Sequence, residues 1–370
     1  MHKNFNFDSV SGIDILEKVK SKISFSLDRF APINPSSRHL LGQEAASVID
    51  SCTTNMMKAI GRQDFSNGVW TSSATESHYL IANSIKPKRI VVPRGSRLSL
   101  LNSAKTLCLK HDSELITPKF DKSYGFDLSL FENLDEGDVL FMEMSCAEVG
   151  FIQDLDKISS AVKKRGVKVL LDISSSAGWV KINHLSDFAE WITFSFFRFG
   201  GPPGVGFIAS KNNNLKPLFP GVEQEGFRGG CVSLSLIEGA SVALHAFEED
   251  FKSSIERKWD DAVLSLGIFL KEELQVNEFK FKRHLPHSLS SWSDRIDLDA
   301  FRMNLSLEGI YIGTGPACIS GAGKKSQILE DLNISTMENL LISPDLNLKL
   351  EDLDYLYEKF SKAWGYAKIT

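Results

Sequence analysis

The chain has 370 residues, with 42 basic against 47 acidic side chains and a formal net charge of -5, so it offers no electrostatic basis for a nucleic-acid or anionic-membrane surface. No apolar run approaches the roughly 20 residues of a membrane span, and the opening MHKNFNFDSV lacks the apolar core of a secretory signal, so a cytoplasmic protein is expected. Five widely spaced cysteines without a CxxC pair, and eight histidines without metal-ligand spacing, point to neither a disulfide framework nor a metal centre.

Helical periodicity opens the ordered part of the chain at GQEAASVIDSCTTNMMKAIG (42–61), which ends on a glycine suited to a C-cap. Strand-like and helical runs then alternate. GVWTS (68–72) precedes a helix starting near Thr75, and RIVV (89–92) precedes LSLLNSAKTLCLKH. DVLFMEM (138–144) precedes DLDKISSAVKKRG, and KVLLDIS (168–174) follows. Strands separated by helices of this length predict right-handed crossovers and an α/β fold with a mostly parallel sheet covered on both faces. Beyond about Leu244 the pattern turns to long charged helical stretches, FEEDFKSSIERKWDDAVLSLGIFLKEEL, with shorter strands. The expected division is a large α/β domain over 15–244 and a smaller α+β domain over 245–370 joined by 1–14.

Ligands of open α/β sheets sit at the carboxyl ends of the strands, and three such ends carry informative residues: WTSSATES (70–77), LLDISSSAG (170–178) and FSFFRFGGPPG (194–204). In the first, small hydroxyl residues at a helix start suit either a phosphate cradle or a plain N-cap. In the second, Asp172 ends a buried apolar run, where a carboxylate is costly unless paired, whether by a ligand or by a turn.

Together these segments resemble the cysteine desulfurases of the class V aminotransferase family. INPSSRHLLGQEAA (33–46) is similar to their NPSSxHxxG segment, TSSATES to TSGATE, AEVGFIQDL (147–155) to NETGxIQPI, and LLDISSSAG to HxDAAQAxG. FSFFRFGGPPGVGFI is similar to SGHKxxGPxGxG, QEGFRGGCVSL (224–234) to QERGxRSGT, and GTGPACISGAG (313–323) to the active-site loop SGSACTSG. The seven matches run in family order. The resemblance implies the fold type I architecture of pyridoxal-phosphate (PLP) enzymes, a dimer, and a site in which a lysine holds the cofactor as a Schiff base while an aspartate partners the pyridine nitrogen.

Carried over residue by residue, the resemblance gives a mixed site. Asp172 matches the pyridine partner; Ala74, Thr75 and Ser195 match the phosphate cup; Cys318 falls on the persulfide-carrying cysteine. The lysine position holds Arg198, whose guanidinium does not act as an amine nucleophile, and its histidine neighbour is Phe197. Ser96 stands at the ring-stacking position, Ala147 and Ser175 replace amide partners of the cofactor, Leu341 stands where a substrate-clamping arginine is expected, and Cys231 aligns with a threonine reaching the other subunit. FNFDSVSG (5–12) replaces the N-terminal AATTP-type segment.

The expected function is therefore a desulfurase-like chain with a degenerate PLP site, serving as a non-catalytic interaction or regulatory subunit linked to sulfur transfer. It would form a homodimer or a heterodimer with an active desulfurase, with a sulfur-acceptor protein as a further partner. Two other readings stay open. One is an enzyme of desulfurase or aminotransferase type that binds PLP or pyridoxamine phosphate non-covalently through Asp172; the other is a persulfide relay through Cys318, with Lys324 and Lys325 nearby.

Overall fold

The computed structural model describes residues 4–30, 33–182, 188–313, 325–337 and 339–369. The segment 314–324, with Cys318 and Lys324, lies outside the described residues. Chain order begins with β1 (Phe5–Phe7), α1 (Glu17–Phe30), α2 (Leu40–Ala59), β2 (Asn67–Thr71), α3 (Ala74–Ser84), β3 (Arg89–Val91), α4 (Leu98–His111) and β4 (Glu114–Ile116). A small hairpin, β5 (Phe120–Asp121) and β6 (Gly125–Phe126), is followed by β7 (Val139–Glu143), α5 (Leu155–Arg165), β8 (Lys168–Asp172), β9 (Trp191–Ser195) and β10 (Gly206–Ser210). The remainder is α6 (Leu234–Glu256), α7 (Trp259–Glu272), β11 (Asn277–Glu278), β12 (Leu289–Trp292), α8 (Leu298–Leu307), β13 (Ile310–Ile312), α9 (Gln327–Asp331), β14 (Leu340–Ile342) and α10 (Leu353–Ala367).

The central sheet has seven strands in the order β2-β10-β9-β8-β7-β3-β4. β4, β3, β7, β8 and β9 pair in parallel, and β10 lies antiparallel to both β9 and β2. β7, β9 and β10 are buried along their whole length, which explains their near-continuous apolar runs: helices cover both faces, so no residue of these strands faces water. β10 can be antiparallel because the short turn after β9 joins neighbouring strands without a crossover.

The charged helical stretches after Leu244 form two helices. α6 already begins at Leu234, and the break before α7 falls at Lys258, which takes a left-handed φ of 63°. The N-terminal strand β1 pairs in parallel with β13, and Asp8 bridges to Ser343. The segment after β1 then returns to the central sheet, where the Ile13 and Leu16 amides donate to the carbonyls of Phe197 and Gly200 at 3.2 and 3.0 Å. Among the described residues no helix is long and apolar enough to cross a membrane.

Candidate functional site

Sheet register assembles the site. Glu143, the last residue of β7, is the partner of Asp172, the last of β8, and Asp172 is in turn the partner of Thr193 on β9. One step further on, Gly206 of β10 is the partner of both Ser195 and Thr71. The carboxyl ends of β7, β8, β9 and β2 therefore lie side by side, where open α/β sheets present ligand sites.

The turn between β2 and α3 is tightly closed on itself. Ser73 caps α3, its Oγ accepting from the Glu76 amide at 3.3 Å, and the Ala74 amide donates to Ser195 Oγ at 2.7 Å. The Ser72 amide donates to Glu76 Oε2 at 2.7 Å, while Glu76 Oε1 receives Arg228 Nε at 2.9 Å. Thr75 is exposed on the first turn of α3. A β-carbon on Gly206 would lie 2.4 Å from the Ser73 carbonyl carbon, so only glycine lets β10 approach this turn so closely.

Asp172 is buried, and its Oδ1 accepts from the Ser174 amide at 2.7 Å. Its Oδ2 lies 2.8 Å from Nε2 of His78, a fully buried residue of α3. That nitrogen also lies 3.1 Å from Thr193 Oγ1, and Nδ1 of the same ring is 3.1 Å from Ser99 Oγ. Beyond this His78 contact, Oδ2 has no hydrogen-bond partner among the described residues. Burial alone raises the Asp172 pKa, but the hydrogen bond and charge of His78, then Arg97 and Ser174, outweigh it and hold the carboxyl down at about 2. It is ionised throughout the neutral range.

Arg97 crosses the strand ends from the start of α4. Its amide donates to Glu143 Oε2 at 3.0 Å, its Nε is 2.6 Å from Glu143 Oε1, and its Nη2 donates to Ser175 Oγ. Burial pushes Glu143 up to about 7, with Arg97 opposing and the charge of Asp172 adding to the rise. Arg198 approaches from the turn after β9. Its Nη1 donates to the Val10 carbonyl, and its guanidinium lies over the Phe197 ring at 4.8 Å from the centroid. Burial, then repulsion by Arg97, brings its pKa down to about 9 against the pull of Asp172, Glu143 and Asp8. It remains a cation at neutral pH and has no free lone pair with which to attack a carbonyl.

The structure thus brings together Ala74, Ser195, Asp172, Ser175 and Arg198. Ser96 bends beside the site, its amide donating to the Pro93 carbonyl at 3.2 Å, while its neighbour Arg97 is the side chain that enters. Cys231 is exposed and lines a cavity of about 350 Å³ with Asn34, Ile49, Asp50 and Gln224. None of the Asp172 cluster lines that cavity. Leu341 is buried on β14.

Sequence reasoning missed His78, Arg97 and Glu143. His78 follows Ala74 by four residues on α3 and so shares its buried face. Glu143 is legible as a charge ending a buried run, as Asp172 is, whereas no local pattern marks Arg97.

The donor set fits PLP in part only. Asp172, ionised and with an under-bonded oxygen, suits a protonated pyridine nitrogen. Arg198 cannot make the covalent attachment, and Ser175 is taken by Arg97. None of Asp172, Ser175, Arg97 and Arg198 offers an amine for a Schiff base.

Residues 16–333 match the family model described as aminotransferase class-V. The chain is 27% identical over 370 residues to "Cysteine desulfurase IscS 1" of Archaeoglobus fulgidus, covering 95% of this chain and 94% of the relative. It is 28% identical over 322 residues to "Cysteine desulfurase IscS" of Buchnera aphidicola subsp. Schizaphis graminum, covering 81% and 77%. Among solved structures, a "NIFS-LIKE PROTEIN" superposes with a TM-score of 0.85 at 21% identity over 98% of this chain and all of that one. The apo structure of a cysteine desulfurase from Thermococcus onnurineus NA1 does so with a TM-score of 0.80 at 18% identity, covering 98% and 95%. At those identities the two structures speak to the fold alone.

Proposed function

The chain belongs to the aminotransferase class-V family, and from that premise we propose that it is a desulfurase-like subunit that has kept the family scaffold and given up lysine-dependent chemistry. The observation that carries this is Arg198, protonated and bonded to the Val10 carbonyl at the position where the family resemblance calls for an amine. The departures at Ser96, Ala147, Ser175, Phe197 and Leu341 point the same way.

Its work is then interaction or regulation in cytoplasmic sulfur transfer, through pairing with a second copy or with an active desulfurase. The segments walling the cavity beside Cys231 support pairing. Val222, which lines the cavity, is 81% exposed, and Leu40, Leu41 and Phe219, nearby in sequence to lining residues, are exposed as well, apolar side chains that a monomer gains nothing by showing to water.

Turnover tests the reading. Incubated with L-cysteine, a thiol reductant and PLP, the chain is expected to release sulfide at the buffer rate. That is at least about 10²–10⁴-fold below an active family member assayed alongside, the range a positioned proton-transfer group supplies. Sulfide release that scales with chain concentration and approaches the active member's rate would overturn it.

A further inference from the structure

A chain without the lysine can still bind PLP non-covalently, so loss of turnover does not decide whether the crevice is open. The positions of the two arginines bear on that directly. Arg97 runs from the start of α4 across Glu143 at the end of β7 to Ser175 after β8, and Arg198 comes in from beyond β9. Both guanidiniums thus stand over the carboxyl ends of the strands, the place a ligand of this sheet would take.

Two guanidiniums already stand among the carboxyls of Asp172, Glu143 and Asp8, and Arg198 senses Arg97 and all three. A pyridinium over Asp172 would add a third cation to this set and would have to displace Arg97 from Glu143 and Ser175.

At the phosphate end three amides of the turn are already taken. The amides of Ser72, Ala74 and Glu76 are spent on Glu76, Ser195 and Ser73. The Glu76 carboxylate, itself held by Arg228, is the anion that the positive end of α3 already has. Glu76 is also the glutamate of the motif that resembles TSGATE, so this cap by itself does not exclude a phosphate at Thr75.

We propose that Arg97, held across the strand ends by Glu143 and Ser175, is a built-in substitute for the cofactor, and that with Arg198 it closes the crevice to PLP in any mode of attachment. This builds on the loss of lysine chemistry proposed above and extends it to the loss of the binding site.

The test is retention of PLP and of pyridoxamine phosphate by equilibrium dialysis, with thermal unfolding in parallel, on the wild-type chain and on Arg97→Ser/Glu143→Gln, which removes both members of the pair together. The wild-type chain is expected to retain neither compound at millimolar concentration and to show no shift in its midpoint. The double variant is expected to retain PLP at least about 10-fold better. If the double variant does not fold, Arg97→Gln, close in length but uncharged, takes its place.

Stoichiometric retention by the wild-type chain with a raised midpoint overturns the proposal while leaving the non-catalytic reading standing. Variants that fold and bind no better than wild type overturn the role given to Arg97. Sulfide release by the wild-type chain would sink both readings together.

Discussion

Replacing Asp172 by alanine is expected to cost the fold about 3–5 kcal/mol, the usual penalty for removing one partner of a buried ion pair. Asp172 is buried against His78 at 2.8 Å and within electrostatic reach of Arg97 and Arg198, and without it Arg97 keeps Glu143 while Arg198 keeps Glu143 and Asp8. The effect has a definite pH dependence. The Asp172 pKa is lowered from 3.8 to about 2 in the fold, so its stabilisation is complete above about pH 4 and is lost as pH falls toward 2. The gap between wild type and Asp172→Ala in urea unfolding therefore narrows by roughly 2 kcal/mol between pH 4 and pH 2, at about 1.4 kcal/mol per unit. A gap that is small at pH 7, or that does not change in acid, would mean that Asp172 is a turn residue without a role in the charge cluster.

Glu148→Gln is expected to act in the opposite pH direction. Glu148 is buried at the turn after β7, with Oε1 accepting from Ser326 Oγ and Oε2 without a hydrogen bond among the described residues. Burial lifts its pKa from 4.5 to about 7 against the pull of Ser326. A carboxyl raised in the fold binds its proton more tightly there than in the unfolded chain, so wild-type stability falls as pH rises from about 4.5 to 7. Glutamine keeps the acceptor for Ser326 and does not titrate. The variant should therefore gain on wild type by roughly 3 kcal/mol across that interval, read from urea midpoints at pH 4.5 and 7.5. A difference that stays flat would place Glu148 in a more solvated setting than its burial implies.

Much of the sheet is legible in the chain. GVWTS, RIVV, DVLFMEM and KVLLDIS become β2, β3, β7 and β8 within a residue or two, because strands buried on both faces advertise themselves as short apolar runs. Asp172 and Ser195 are legible too, as polar residues closing such runs. Pairing across the chain is not: nothing in FNFDSVSG says that β1 lies beside β13 or that the Val10 carbonyl will receive Arg198. Nor does the charged stretch after Leu244 announce its break, since Arg257 and Lys258 have ordinary helix propensity and the left-handed turn at Lys258 is a matter of packing.

The site follows the same division. Arg198 is conspicuous in sequence only because a lysine is expected there. Arg97, one residue beyond the ring-stacking position at Ser96, is an unremarkable arginine before a helix, and its role arises only when β3, β7 and β8 are laid side by side. The same register converts Glu143 and Asp172 from two separate strand ends into one acidic pair.

The most direct measurement of the central claim is the intact mass of the wild-type chain after incubation with PLP and reduction with borohydride, with peptide mapping of any adduct. A chain whose lysine chemistry has been given up is predicted to keep its unmodified mass apart from scattered, substoichiometric modification of surface lysines. One pyridoxyl phosphate per chain, fixed at a single lysine, would show that an amine does reach the site and would contradict it.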